Sequence, residues 1–194
     1  MPRLHRVHPE LARAVASAFA AAPSTPTDPK VAAAYAELTD QADLWFTRLT
    51  GAWMRKPVRV VFSRCHEPYA DATELSTSVR LHRVLEIFAA RHDRDRRHPL
   101  LDTSIGGAYD RFRAVHDIVS HGVLQYSFDR DGEFSAWRAE DRLYTGLARQ
   151  ALATELHGEH SVRWTSGELA DHKAVLLETR LLNASLVGVT SLPT

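Results

Sequence analysis

The chain has 194 residues, 44% of them hydrophobic and 25% charged, which excludes a collagen, a low-complexity tail or a wholly disordered segment. Twenty-four Lys and Arg balance twenty-four Asp and Glu. No net field therefore steers the chain toward nucleic acid or acidic lipid.

Residues 9–22 read as a helix opened by Pro9. Leu11, Val15 and Phe19 recur along one face of it. Arg3, Arg6 and the alanine-rich run from Ala14 to Ala22 imitate a signal peptide, but Glu10 and Arg13 interrupt that pattern. The run also falls short of the roughly 20 residues that a membrane-crossing helix needs. A cytoplasmic protein is the expectation. PSTPTDP, residues 23–29, is a stiff connector, with Asp28 placed to cap the next helix and Pro29 to open it. Val31, Tyr35, Leu38, Ala42, Trp45 and Leu49 then trace a stripe on a helix of about 20 residues. The first 50 residues so read as a helical pair.

PVRVVFS, residues 57–63, is the clearest strand. Residues 64–78 are polar and turn-rich, with a short helix expected around Ala72 to Ser76. VLEIFA, residues 84–89, fits strand or helix equally. RHDRDRRH, residues 91–98, reads as a solvated turn, and HPLLDTSIGG, residues 98–107, as a loop. Tyr109, Phe112, His116 and Val119 share a helix face that ends near Gly122. Glu133, Trp137, Glu140, Tyr144, Leu147 and Ala151 trace a stripe through residues 131–156. A last helix is expected from about Gly167 to Asn183, with Ser166 as its cap and Thr165 with Glu168 as a capping box.

The fold class expected is mainly α with a small β element. Residues 1–22 form an N-terminal helical arm, 23–29 a proline-rich connector, and 30–194 a single metal-binding domain with its site between C-terminal helices.

The chemistry concentrates in FRAVHDIVSH, Phe112 to His121. One cysteine, Cys65, excludes an intrachain disulfide and a thiolate-rich metal site, whereas eleven histidines offer imidazoles that suit zinc, copper and iron. His116 and His121 are five apart, which on a regular helix aims them about 140° apart. A wide turn would bring them onto one ion, as would a helix end just before His121. Glu155, in ALATELHGEH, is the expected third ligand, with Glu133 and Glu159 as competing carboxylates. Two imidazoles and one carboxylate with open positions make the facial set of non-haem Fe(II) oxygenases; with one water the same set is a catalytic zinc site. Tyr109, Phe112, Phe128, Trp137 and Tyr144 are candidates to line a pocket or to fill the core.

HDIVSH followed by VLQYSFDRDGEFSAW resembles the metal segment of the aromatic amino acid hydroxylases. RVLEIFAARHDRDRRH, residues 83–98, is similar to the aromatic-rich stretch of that family, so the resemblance covers roughly residues 83–160. It implies iron at His116, His121 and Glu155. Asp117 stands where the family has Glu, and Ser120 where it has Gly. The proline-rich motif before the first histidine is absent, so neither pterin nor an aromatic amino acid substrate transfers. The pattern also resembles that of phage and actinobacterial proteins of unknown function, which suggests a separate compact family.

Two other families use similar letters. The zinc dipeptidyl peptidases would make Asp117 the general base. The HD phosphohydrolases, through AVHDIVSHG, would make Asp117 a ligand beside His82 or His98 and Asp141 or Asp171. Cys65-His66-Glu67 is a weaker nucleophile candidate. His157, Glu159 and His160 are candidates to orient the ligands, with the capping of a helix end in solvent as the simpler expectation.

The expectation is a mononuclear Fe(II) oxygenase or hydroxylase-like enzyme. Its metal ligands are His116, His121 and Glu155, with catalytic support from Asp117 and Glu133. Its partners are a small-molecule substrate and O2, without nucleic acid or membrane. The alternatives are a Zn2+ hydrolase, an HD-type phosphohydrolase and a non-catalytic interaction protein. The oligomeric state is left open, a homodimer included.

Overall fold

The computed structural model describes residues 4–93 and 97–187. Arg3 of the N-terminal basic pair and residues 94–96 of the charge cluster lie outside the described residues. The architecture is mainly α with one small β element, as the sequence patterns imply. The chain divides into two compact units. One is Thr39–Phe128; the other is Leu4–Leu38 with the chain from Asp129 onward.

In the first unit, the second half of helix α2 (Pro29–Thr50) leads to strand β1 (Arg59–Ser63). Helix α3 (Ala72–Thr77) and a wide turn, Ser78–His82, carry the chain to strand β2 (Val84–Phe88). The ambiguous VLEIFA segment is therefore strand. It lies parallel to β1 in a register that runs from Arg59 opposite Val84 to Ser63 opposite Phe88. Two parallel strands need a crossover, and α3 supplies it. Helix α4 (Ala108–His116) lays Ala114 against Val58, Leu75, Val79, Leu85 and Ile87, with Ile118 just beyond its end in the same core. Burying each of these larger side chains contributes about 1.5–3 kcal/mol, so α4 is held firmly on the sheet. Asp110 anchors its first turn, accepting hydrogen bonds from the Ala90 and Gly106 N–H groups at 2.8 and 2.9 Å. Arg111 forks onto Asp43 at 2.6 and 2.8 Å.

In the second unit, helix α1 (Pro9–Ala21) starts at Pro9 as expected and buries Leu11, Val15 and Phe19. Asp28 caps α2, accepting from the Lys30 and Val31 N–H groups. The first two helices form, but α1 packs chiefly on helix α7 (Glu159–Ser166) rather than pairing with α2. Lys173 fastens the end of α1. Its ammonium donates to the carbonyls of Phe19, Ala20 and Ala22 at 3.2, 2.9 and 3.2 Å, a cation on the negative helix end.

Two expected helices differ from the structure. The stripe through 131–156 is not one helix. It comprises helix α5 (Arg130–Glu140), a turn, helix α6 (Ala148–Ala153) and a second wide turn, Thr154–Gly158. The break is stabilised at a distance, because Glu37 Oε2 accepts from the N–H groups of Leu147 at 2.8 Å and Ala148 at 3.3 Å. Those are orphan donors at the start of α6. The expected helix from Gly167 is also displaced: α7 ends at Ser166, an extended segment follows, and helix α8 (Thr179–Val187) starts later. Gly167 has φ of 80°, a left-handed stop that only glycine adopts cheaply. Ser166 is thus the last residue of a helix and not the cap of the next, although its Oγ does accept from the Glu168 N–H at 3.2 Å.

Candidate metal centre

α4 ends at His116 and continues directly into a wide turn, Asp117–Val123, with hydrogen bonds that skip five residues: the Leu124 N–H reaches the Val119 carbonyl at 2.9 Å. The extra residue per turn undoes the divergence of a five-residue spacing. His116 Nε2 and His121 Nε2 lie 3.1 Å apart, and the two rings meet edge to face with centroids 4.9 Å apart. Both are buried, His121 at 1% exposure.

The second nitrogen of His121 fixes its tautomer. Nδ1 lies 2.8 Å from the Tyr126 carbonyl, an oxygen that only accepts, so Nδ1 carries the proton. Its Nε2 faces His116 Nε2. A ring N–H held by a backbone carbonyl is how protein metal sites orient imidazole. Gln125, at φ of 62°, turns the chain so that the Tyr126 carbonyl faces back. Ser76 Oγ donates to the Gly122 carbonyl at 3.1 Å, and Phe128 packs edge-on against the His121 ring at 4.7 Å. Gly122 is required by packing. A Cβ there would meet Val79 Cγ1 at 2.8 Å and Val79 Cβ at 3.0 Å.

Asp117 opens the wide turn and is half-buried. Among the described residues it joins no cluster of three ligand atoms. The upstream partners of the phosphohydrolase reading are occupied or exposed. His98 Nδ1 accepts from the Leu100 and Leu101 N–H groups at 3.0 and 2.8 Å, and its ring stacks on Tyr109. His82 is exposed. Asp141 takes a two-point contact from Arg149, and Asp171 is exposed. Cys65 is exposed, while the His66 ring leans on Phe88 at 5.1 Å.

The carboxylates named from the sequence belong to the second unit. Glu155 stands on the wide turn Thr154–Gly158, only 4% exposed, and its Oε1 accepts from the Tyr35 hydroxyl at 2.6 Å. Burial, then the nearby Glu155 charge, raises the Tyr35 phenol well above its ordinary range. Glu159, the first residue of α7, lies one turn on, and its Oε1 is 2.8 Å from His172 Nδ1. One ligand atom from each of Glu155, Glu159 and His172 falls within 4.8 Å of the others. The sequence reading did not single out His172, because it stands thirteen positions after Glu159, beyond the rest of α7 and on the extended segment that follows. Glu133 is buried on α5, its Oε2 3.3 Å from His160 Nδ1.

His157 is not a solvated helix end. It is fully buried, stacked on Trp137 at 4.4 Å, and its Nε2 meets Ser185 Oγ at 3.0 Å. Burial first, and the His160 charge second, push its pKa down to about 3, so it is a neutral core imidazole. The five aromatic candidates divide. Tyr109, Phe112 and Phe128 belong to the first unit, and Trp137 and Tyr144 to the second. Phe112, Trp137 and Tyr144 are buried as core.

No family model, no curated protein and no solved structure matches this chain.

Proposed function

We propose that the chain is a metal-dependent enzyme in which His116 and His121 hold one Fe(II) for oxygen chemistry on a small substrate. The observation that carries this reading is the wide turn that brings the two Nε2 atoms to 3.1 Å, with His121 already in the tautomer a metal needs. A regular helix would leave these rings apart, and wide turns of this kind are rare and concentrate at functional sites. Bound there with open coordination positions, Fe(II) would supply O2 activation. The protein's own contribution is to keep both imidazoles oriented and out of water. The Tyr126 carbonyl fixes one ring, and Phe128 and the sheet-packed α4 limit its movement.

From the sequence the acidic ligand is expected at Glu155, with Glu133 and Glu159 as its competitors, and support for catalysis from Asp117 and Glu133. Elemental analysis after anaerobic loading with Fe(II) tests the reading. Wild type should retain iron. His116→Ala and His121→Ala should lose it, and Asp117→Asn should keep it. Iron content unchanged in both histidine variants would overturn the proposal. Preferential retention of zinc, with hydrolysis that needs Asp117, would replace it with the hydrolase reading.

A further inference from the structure

We infer that the second unit carries its own divalent-cation site, formed by Glu155, Glu159 and His172. Glu155 and Glu159 are four residues apart across the junction of the wide turn Thr154–Gly158 and α7, a spacing that puts both carboxylates on one face. The extended segment after Gly167 returns His172 to that face, and the three side chains bring one ligand atom each within 4.8 Å of one another. These residues come from two stretches of backbone, and Tyr35 adds a third from α2 by directing its hydroxyl at Glu155 Oε1.

The environment is one in which two carboxylates are costly. Glu155 is 4% exposed, and the side chains of Glu159 and His172 are 13% and 6% exposed. Like charges that close in a low dielectric repel strongly. A protonated His172 beside Glu159 offsets one charge at most. Lys173, the next residue, directs its ammonium away from this face to the end of α1. A dication offsets both carboxylates and accepts the imidazole lone pair as a ligand. Two carboxylates and one imidazole favour a hard or borderline cation, with Mn2+ the suitable probe.

Glu155 figures in the proposed function as well, so the test avoids it. Mn2+ is titrated into the chelator-treated full chain and the loss of the free-ion paramagnetic resonance signal is followed. The His116→Ala, His121→Ala double variant isolates this site and should still bind a single Mn2+. Adding His172→Ala or the near-isosteric Glu159→Gln to that background should weaken binding at least about tenfold. Thermal melts of each variant confirm that it is folded. A folded double variant that binds no Mn2+, or whose binding is indifferent to both His172→Ala and Glu159→Gln, overturns the inference. Loss of iron in the histidine variants reports only on the other site, so each reading fails on its own evidence.

Discussion

His121 shows how much a single side chain is constrained by the few residues that follow it. Its ring is oriented by the carbonyl of Tyr126, and the chain reaches that point through the left-handed Gln125. The two histidines were legible as a pair from the sequence. Their convergence was conditional there, because residue spacing cannot show whether a helix widens. Gly122 was legible only as a helix stop, and the structure gives it a second role as the point where Val79 approaches. Gly122→Ala should therefore destabilise the protein by about 1–3 kcal/mol, the usual cost of overpacking. Urea unfolding in the presence of chelator measures this without a metal contribution, and an unchanged midpoint would show that Val79 yields freely.

Among the elements, those read most securely were the ones whose pattern is local. α1 and α2 carry an uninterrupted apolar stripe and a proline start. β1 alternates, and α3 is bounded by turn residues and capped by Asp71, whose Oδ1 accepts from the Glu74 N–H at 2.9 Å. β2 became distinguishable from helix only through its pairing with β1, a contact about 25 residues away that no window of sequence contains. The break between α5 and α6 is not legible in the sequence for the same reason. The apolar stripe continues through it, while the group that stabilises it is Glu37, 110 residues earlier. Glu37→Ala should cost about 0.5–2 kcal/mol, as the loss of other helix caps does. Glu37→Gln, which keeps an acceptor oxygen, should recover part of that in a thermal melt. The run around Gly167 reads as a capping box, but its left-handed backbone angle ends a helix there instead.

For the whole molecule, the balanced charge seen in the composition leaves stability to packing and to individual buried groups. No helix among the described residues is long and apolar enough to cross a membrane. The pH dependence of stability follows from the buried phenols. Tyr144 is raised above its ordinary range by burial and then by the Glu140 charge. Its folded form holds the proton more tightly than the unfolded chain does. Its contribution is therefore complete below pH of about 10 and declines above it, by about 1.4 kcal/mol per pH unit. Tyr144→Phe should flatten the alkaline limb of a denaturant-midpoint profile by about one proton's worth, with Tyr35 retaining its own share. A profile of unchanged slope would place the Tyr144 hydroxyl in contact with water.

The wide turn after α4 also alters what a spacing means. One surplus residue has been absorbed into the helix, so that five steps along the chain do the work of four in space. A motif search that insists on histidines one ordinary turn apart passes over this pair. A search that tolerates a single inserted residue finds it, and the vocabulary of two-histidine helices is correspondingly larger than regular periodicity allows.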